Sequence, residues 1–165
     1  MTQITLGGHH AKTIGSLPKI GNILPDFNLT SIDLSTKQLK DFKGDKLVLN
    51  IFPSVNTGVC ASSVRKFNEK ASSLNNTKVL CISKDLPFSQ DQFCAAEGLE
   101  NVVMLSDFKT GEFGETYGTT IISGAFEGLH SRCIIVTDEN HKVIYTEQVI
   151  EIGHEPNYDA AIKHL

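Results

Sequence analysis

Four cysteines stand in the chain, at positions 60, 81, 94 and 133, and the first has the surroundings best suited to reaction. Leu47 to Phe52 is an almost unbroken apolar run, as expected of a strand covered on both faces. Pro53, Asn56 and Gly58 then break it. Beyond the break, Val64, Phe67, Ala71 and Leu74 recur at helical spacing, which predicts a helix beginning near Cys60. Thr57 is a candidate N-cap, which makes Cys60 the third helical residue. In a capping box that position holds a carboxylate facing the helix start. Here a thiol meets the free N–H groups and the positive end of the helix dipole. Such settings, with a nearby cation, turn a thiol into a nucleophilic thiolate. Cys60 also shares the apolar face with Val64 and Phe67, so a small hydrophobe filling the seam between helix and sheet is the competing reading.

Other candidates divide clearly. Arg132 opens an otherwise apolar strand, Cys133-Ile134-Ile135-Val136, where a charge must have a reason to be. Either it pairs with a surface carboxylate at the sheet end, or it acts on the sulfur. Arg65, one turn past Ala61, reads as a surface or ion-pair residue. Cys81 is flanked by Val79, Leu80 and Ile82 and reads as packing. His9 and His10 have no further metal ligands at suitable spacing and read as solvated turn residues.

Pro53-x-x-x-Thr57-x-x-Cys60 resembles the active-site signature of the peroxiredoxins. The longer run from Phe52 to Asn68 resembles one branch of them, the bacterial thiol peroxidases, which are atypical 2-Cys peroxiredoxins. Gly21-x-x-x-Pro25-Asp26-Phe27-x-Leu29 and Ser131-Arg132-Cys133-Ile134-Ile135-Val136 extend the similarity to nearly the whole chain. Gly58 departs from the pattern, standing where the family usually has Pro and leaving a looser loop with an extra N–H.

The resemblance implies a thioredoxin-like α/β sandwich and a thiol-dependent peroxidase. Cys60 is then the peroxidatic sulfur, passing through a sulfenic acid, and Arg132 is expected beside it. Thr57 orients a peroxide oxygen, with the N–H groups of Val59 and Cys60 fixing the other, and Pro53 shields the thiolate. Cys94, in the next helix, matches the resolving position, and thioredoxin is the implied reductant of a Cys60–Cys94 disulfide. No metal, flavin or haem is implied, because sulfur carries the oxidation state. A homodimer is expected. The rival reading is a redox-sensing or thiol–disulfide exchange domain of the same fold; an exchange domain would normally show Cys-x-x-Cys, and this chain has Cys60-Ala61-Ser62-Ser63.

The elements that must position these residues follow in order. Thr2 to Leu6 and Ala11 to Ile14, around Gly7-Gly8, predict an N-terminal hairpin within residues 1–15. Short strands are expected at Phe27 to Leu29 and Ile32 to Leu34, and a helical turn at Leu39 to Phe42. Lys78 to Ser83 reads as a buried strand, followed by a helix capped by Asp85, carrying Pro87 and ending near Gly98. Val102 to Leu105 reads as a strand and Glu112 to Tyr117 as a short helix. Arg132 to Thr137 and Lys142 to Glu147 predict a hairpin, and Asn157 to Leu165 a closing helix. This alternation predicts a central mixed sheet flanked by helices. Gly118 to Ser131 is unusually apolar for a loop, suited to covering the site or meeting a second subunit.

The bounds agree. At 165 residues, one domain (1–165) is expected, with no internal boundary. A net charge of -4 without a basic cluster argues against a nucleic-acid surface. The N-terminal residues lack a secretory pattern, and no stretch is apolar and long enough for a bilayer. Four cysteines are too few for a disulfide scaffold, so a reducing cytoplasm is the expected setting.

Overall fold

A computed structural model describes residues 1–165. The strands are β1 Gln3–Leu6, β2 His9–Lys12, β3 Asn28–Ser31, β4 Thr36–Gln38, β5 Lys46–Ile51, β6 Thr77–Ser83, β7 Val103–Ser106, β8 Cys133–Thr137 and β9 Val143–Gln148. The helices are α1 Gly58–Ala71, α2 Pro87–Glu97, α3 Glu112–Thr116 and α4 Tyr158–Ile162, with a 3-10 turn at Leu39–Phe42. Strands β1 and β2 form their own hairpin; the others make a seven-stranded mixed sheet in the order β4-β3-β7-β6-β5-β8-β9. Strands β5, β6 and β7 run parallel, joined by α1 and α2 as crossovers, and β8 pairs antiparallel with β5.

Alternation along β5 sorts the core into two layers. Leu47, Leu49 and Ile51 join Leu80, Ile82, Phe27, Phe42, Phe113 and Tyr117 on one face. Val48 turns to the other, where Cys60, Val64 and Phe67 of α1 meet Val79, Cys81, Ile134, Val136 and Tyr158. Both faces of the sheet are therefore covered, as the continuous apolar runs predict. No helix is long and apolar enough to cross a membrane.

Several expectations are corrected. Ile32 to Leu34 is a turn with Leu34 at φ 68°, tightened where the Asp33 carboxylate accepts from Ser35 N and Oγ. The strand lies at Thr36–Gln38 instead, a polar edge that carries no apolar alternation. Asp85 does not cap α2; Leu86 is the N-cap residue. β1 begins one residue later than expected and β2 lies two residues closer to the Gly7-Gly8 turn, while the closing helix spans five residues, with Asn157 Oδ1 accepting from Ala160 N at 2.9 Å.

Candidate active site

The chain leaves β5 at Phe52 and Pro53, both buried, and turns into α1 at Thr57. Thr57 is the N-cap residue with extended backbone, so Gly58, Val59 and Cys60 fill the first three helical positions. The Thr57 hydroxyl makes no cap bond; it donates to Ser54 O at 3.1 Å. Cys60 has no exposed surface, and its carbonyl accepts from Ser63 Oγ at 2.8 Å. Ser63 in turn accepts from the buried Asn50 amide of β5 at 3.2 Å, fastening the first turn of α1 to the sheet.

Arg132 precedes β8, next to the antiparallel partner of Ile51, so sheet register brings it to the same end as Cys60. Its Nη2 donates to Cys60 Sγ at 3.2 Å and its Nε to Ile152 O at 2.8 Å. Nη1 is buried with no partner. The Arg132 carbonyl accepts from Val149 N and from the Gln148 amide, both at 3.0 Å, and Ser131 Oγ donates to Gln148 Oε1 at 3.1 Å. A guanidinium is a rigid fork, so fixing one N–H fixes the direction of the others. The arrangement places a cation in direct contact with the sulfur at the start of a helix.

The remaining cysteines contrast with this one. Cys81 and Cys133 are fully buried in strands, and burial pushes both thiols up to about 12. Cys94 is half-buried on α2 and packs against the same layer that holds Cys60; burial, then the Asp91 charge, pushes it up to about 11. All four are free thiols. Helices α1 and α2 are tied at their surface, where Arg65 forms a two-pronged ion pair with Glu97 at 2.7 and 3.0 Å.

Two groups at the site escape a reading of the sequence. Asp85, instead of capping, accepts from Ser54 Oγ at 2.7 Å, Val55 N at 2.9 Å and Ser83 Oγ at 2.6 Å. It thereby holds the loop between Pro53 and Thr57 from the end of β6. The Ile152 carbonyl is a backbone group with no side-chain signature. The apolar stretch at 118–131 packs on the hairpin: Ile121 and Phe126 join Ile4, Ala11 and Ile152, and line a cavity of about 380 Å³.

A buried cysteine at the first turn of the first crossover helix thus faces an arginine that leads into the neighbouring strand. Residues 19–162 match the family model described as Redoxin. Over its full length the chain is 54% identical to a thiol peroxidase of Corynebacterium glutamicum and 51% identical to one of Mycobacterium bovis, covering 99% of each. A crystal structure of a peroxiredoxin-like protein from Aquifex aeolicus superposes with a TM-score of 0.92 at 33% identity, covering 99% of this chain and 95% of that one. The chain belongs to the Redoxin family, as a thiol peroxidase of the peroxiredoxin type.

Proposed function

We propose that the chain reduces hydrogen peroxide and organic hydroperoxides at Cys60, with Cys94 as the resolving thiol and thioredoxin as the reductant. The observation that carries this reading is the Arg132 fork, one prong on Cys60 Sγ and the other buried and unpartnered. An unsatisfied buried donor is costly unless a ligand completes it, and a peroxide oxygen would accept from Nη1. The Cys60 thiolate attacks the terminal peroxide oxygen, the O–O bond breaks, and the departing alkoxide takes a proton to leave as alcohol or water. Sulfur is oxidised by two electrons to the sulfenic acid as the peroxide is reduced. Thr57 Oγ, at the helix start, and the N–H groups of Val59 and Cys60 orient the oxygens. Pro53, buried at the end of β5, keeps bulk water from the sulfur.

The Cys94 thiol then condenses with the sulfenic acid, forming the S–S bond and releasing water. Cys60 is sealed inside the seam, and a disulfide requires Cα atoms within about 7 Å, so the first turn of α1 and the Cys94 end of α2 open during the cycle. An external dithiol reopens the disulfide by exchange. One domain spanning 1–165, a homodimer and a reducing cytoplasm complete the reading. The test is a peroxide assay coupled to thioredoxin and its reductase. Cys60→Ser abolishes consumption. Cys94→Ser keeps a single oxidation of Cys60 but loses turnover. Consumption that survives Cys60→Ser overturns the peroxidase reading, and unchanged turnover in Cys94→Ser assigns resolution to another thiol.

A further inference from the structure

The hairpin of β1 and β2 stands outside the main sheet, and its contacts converge on the residues that hold Arg132. Thr5 pairs with Glu151: Thr5 N donates to Ile150 O at 2.7 Å and Ile152 N donates to Thr5 O at 2.8 Å. The Glu151 carboxylate reaches into the hairpin turn. Oε1 accepts from Gly7 N at 2.9 Å and Gly153 N at 3.1 Å, and Oε2 from Thr5 Oγ1 at 2.8 Å and Gly8 N at 3.1 Å. Gly7 and Gly8, at φ 57° and 79°, turn their N–H groups into a nest for this anion. Four donors, led by Gly8 N–H and Thr5 hydroxyl, hold the carboxyl down to about 2, so it stays charged across the physiological range. The next residue, Ile152, is clasped on three sides. Its N–H is on β1, its side chain is buried with Ile4, Ala11 and Ile121, and its carbonyl receives Arg132 Nε.

We infer that Glu151 is a positioning residue for Arg132: by binding the Gly7-Gly8 turn it fixes the Ile152 carbonyl, which aims the guanidinium at the Cys60 sulfur. The carboxylate itself makes no bond to the guanidinium. Its influence passes through one peptide unit, and a guanidinium hung on Nε tilts as a whole when its acceptor moves. The hairpin is thus part of the reactive apparatus, although none of its residues touches the sulfur. Of the groups around Arg132, the Tyr158 phenol and the Cys133 thiol also feel its charge, so a shift of the fork is read at more than one place.

This inference rests on the peroxidase reading only for its rate readout. The experiment compares reduced wild type, Glu151→Gln and Gly8→Ala, the last straining the turn at a left-handed position with nothing packed on the added carbon. Iodoacetamide alkylation of Cys60, followed across pH on the Cys60 peptide by mass spectrometry, reports thiolate population without any peroxide. Single-turnover oxidation by hydrogen peroxide reports reactivity. Glu151→Gln is expected to displace the alkylation profile to higher pH and slow oxidation about tenfold, as small misplacements of a catalytic group do. Gly8→Ala moves both in the same direction by less. In an Arg132→Lys background, which lacks the Nε anchor, Glu151→Gln has no further effect on either readout. Variants that lower the melting temperature but leave alkylation and oxidation unchanged overturn the inference. So does an equal loss in the Arg132→Lys background. If wild type fails to react with peroxide, the peroxidase reading falls, and the alkylation profiles still decide the role of Glu151.

Discussion

At the scale of single residues, the site depends on acceptors that are not themselves reactive. Asp85 gathers three donors, two of them from the loop that delivers Thr57, whose N–H and hydroxyl both rest on Ser54 O. Asp85→Asn keeps the shape but removes the charge and turns one acceptor oxygen into an N–H₂, weakening the hold on Ser54 and Val55. The variant is expected to lose about 1–2 kcal/mol of stability in denaturant titration. Its single-turnover oxidation should fall about tenfold, because the loop no longer fixes Thr57. A melting change with an unaltered rate would show that Ser54 and Val55 find their places without it. Its role as an acceptor for the loop is not legible in the sequence, because its partners Ser54 and Val55 lie some thirty positions away and an Asp shortly before Pro87 reads first as a cap. The helix-start positions of Thr57 and Cys60, by contrast, are legible from residue type and helical spacing, whereas spacing alone leaves Cys60 equally readable as a packing residue and the resemblance supplies its role.

Among the elements, α1 carries the balance between a closed, reactive first turn and an open one. Gly58 occupies the first helical position with no backbone acceptor for its N–H and open space where a Cβ would stand. Thr57 before it sits at φ −103°, ψ 142°, the extended region that a following proline demands. Gly58→Pro should therefore stabilise the protein by about 0.4–1 kcal/mol, mostly through the unfolded chain. The same loss of freedom in the opened turn should slow formation of the Cys60–Cys94 disulfide about two- to fivefold. Stopped-flow oxidation separates the phases, and the peroxide step should be unchanged. The β5–α1 unit was legible because an apolar run followed by helical spacing admits one arrangement. β4 was not, since Thr36-Lys37-Gln38 has no apolar residue to mark a face, while Ile32 and Leu34 are apolar yet lie in a turn.

Across the whole molecule, the core layer that contains Phe113 and Tyr117 abuts an ionisable cluster that sets acid tolerance. His130 is fully buried, 3.0 Å from Thr119 Oγ1 and 3.4 Å from Asp107 Oδ2, and burial pushes it down to about 3. Its neutral form belongs to the folded state, so its contribution is complete above the unfolded value near 6.5 and is lost as pH falls from there toward 3. Unfolding free energy should decline below pH 6.5 with a slope of up to about 1.4 kcal/mol per pH unit from this one group. Asp107, raised by its own burial, works in the opposite sense at the acid end. His130→Gln should be less stable at neutral pH but flatter with pH in chemical denaturation, and an unchanged slope would assign the acid sensitivity elsewhere. The layered sheet was readable from alternation of strands and helices, whereas this cluster was not, since it joins the ends of β7, α3 and the 118–131 loop.

The antiparallel pairing of β5 with β8 carries a rule of parity for how this chain can change length over generations. Side chains on a strand face opposite ways in turn, and Arg132 lies one position beyond Cys133, the partner of Ile51. Losing or gaining a single residue between 133 and 137 would swing the guanidinium to the face lined by Phe113 and Tyr117 and strand a charge among aromatic rings. A length change in the turn after Thr137 leaves that facing untouched, so drift in this lineage has room at the loop and almost none in the strand.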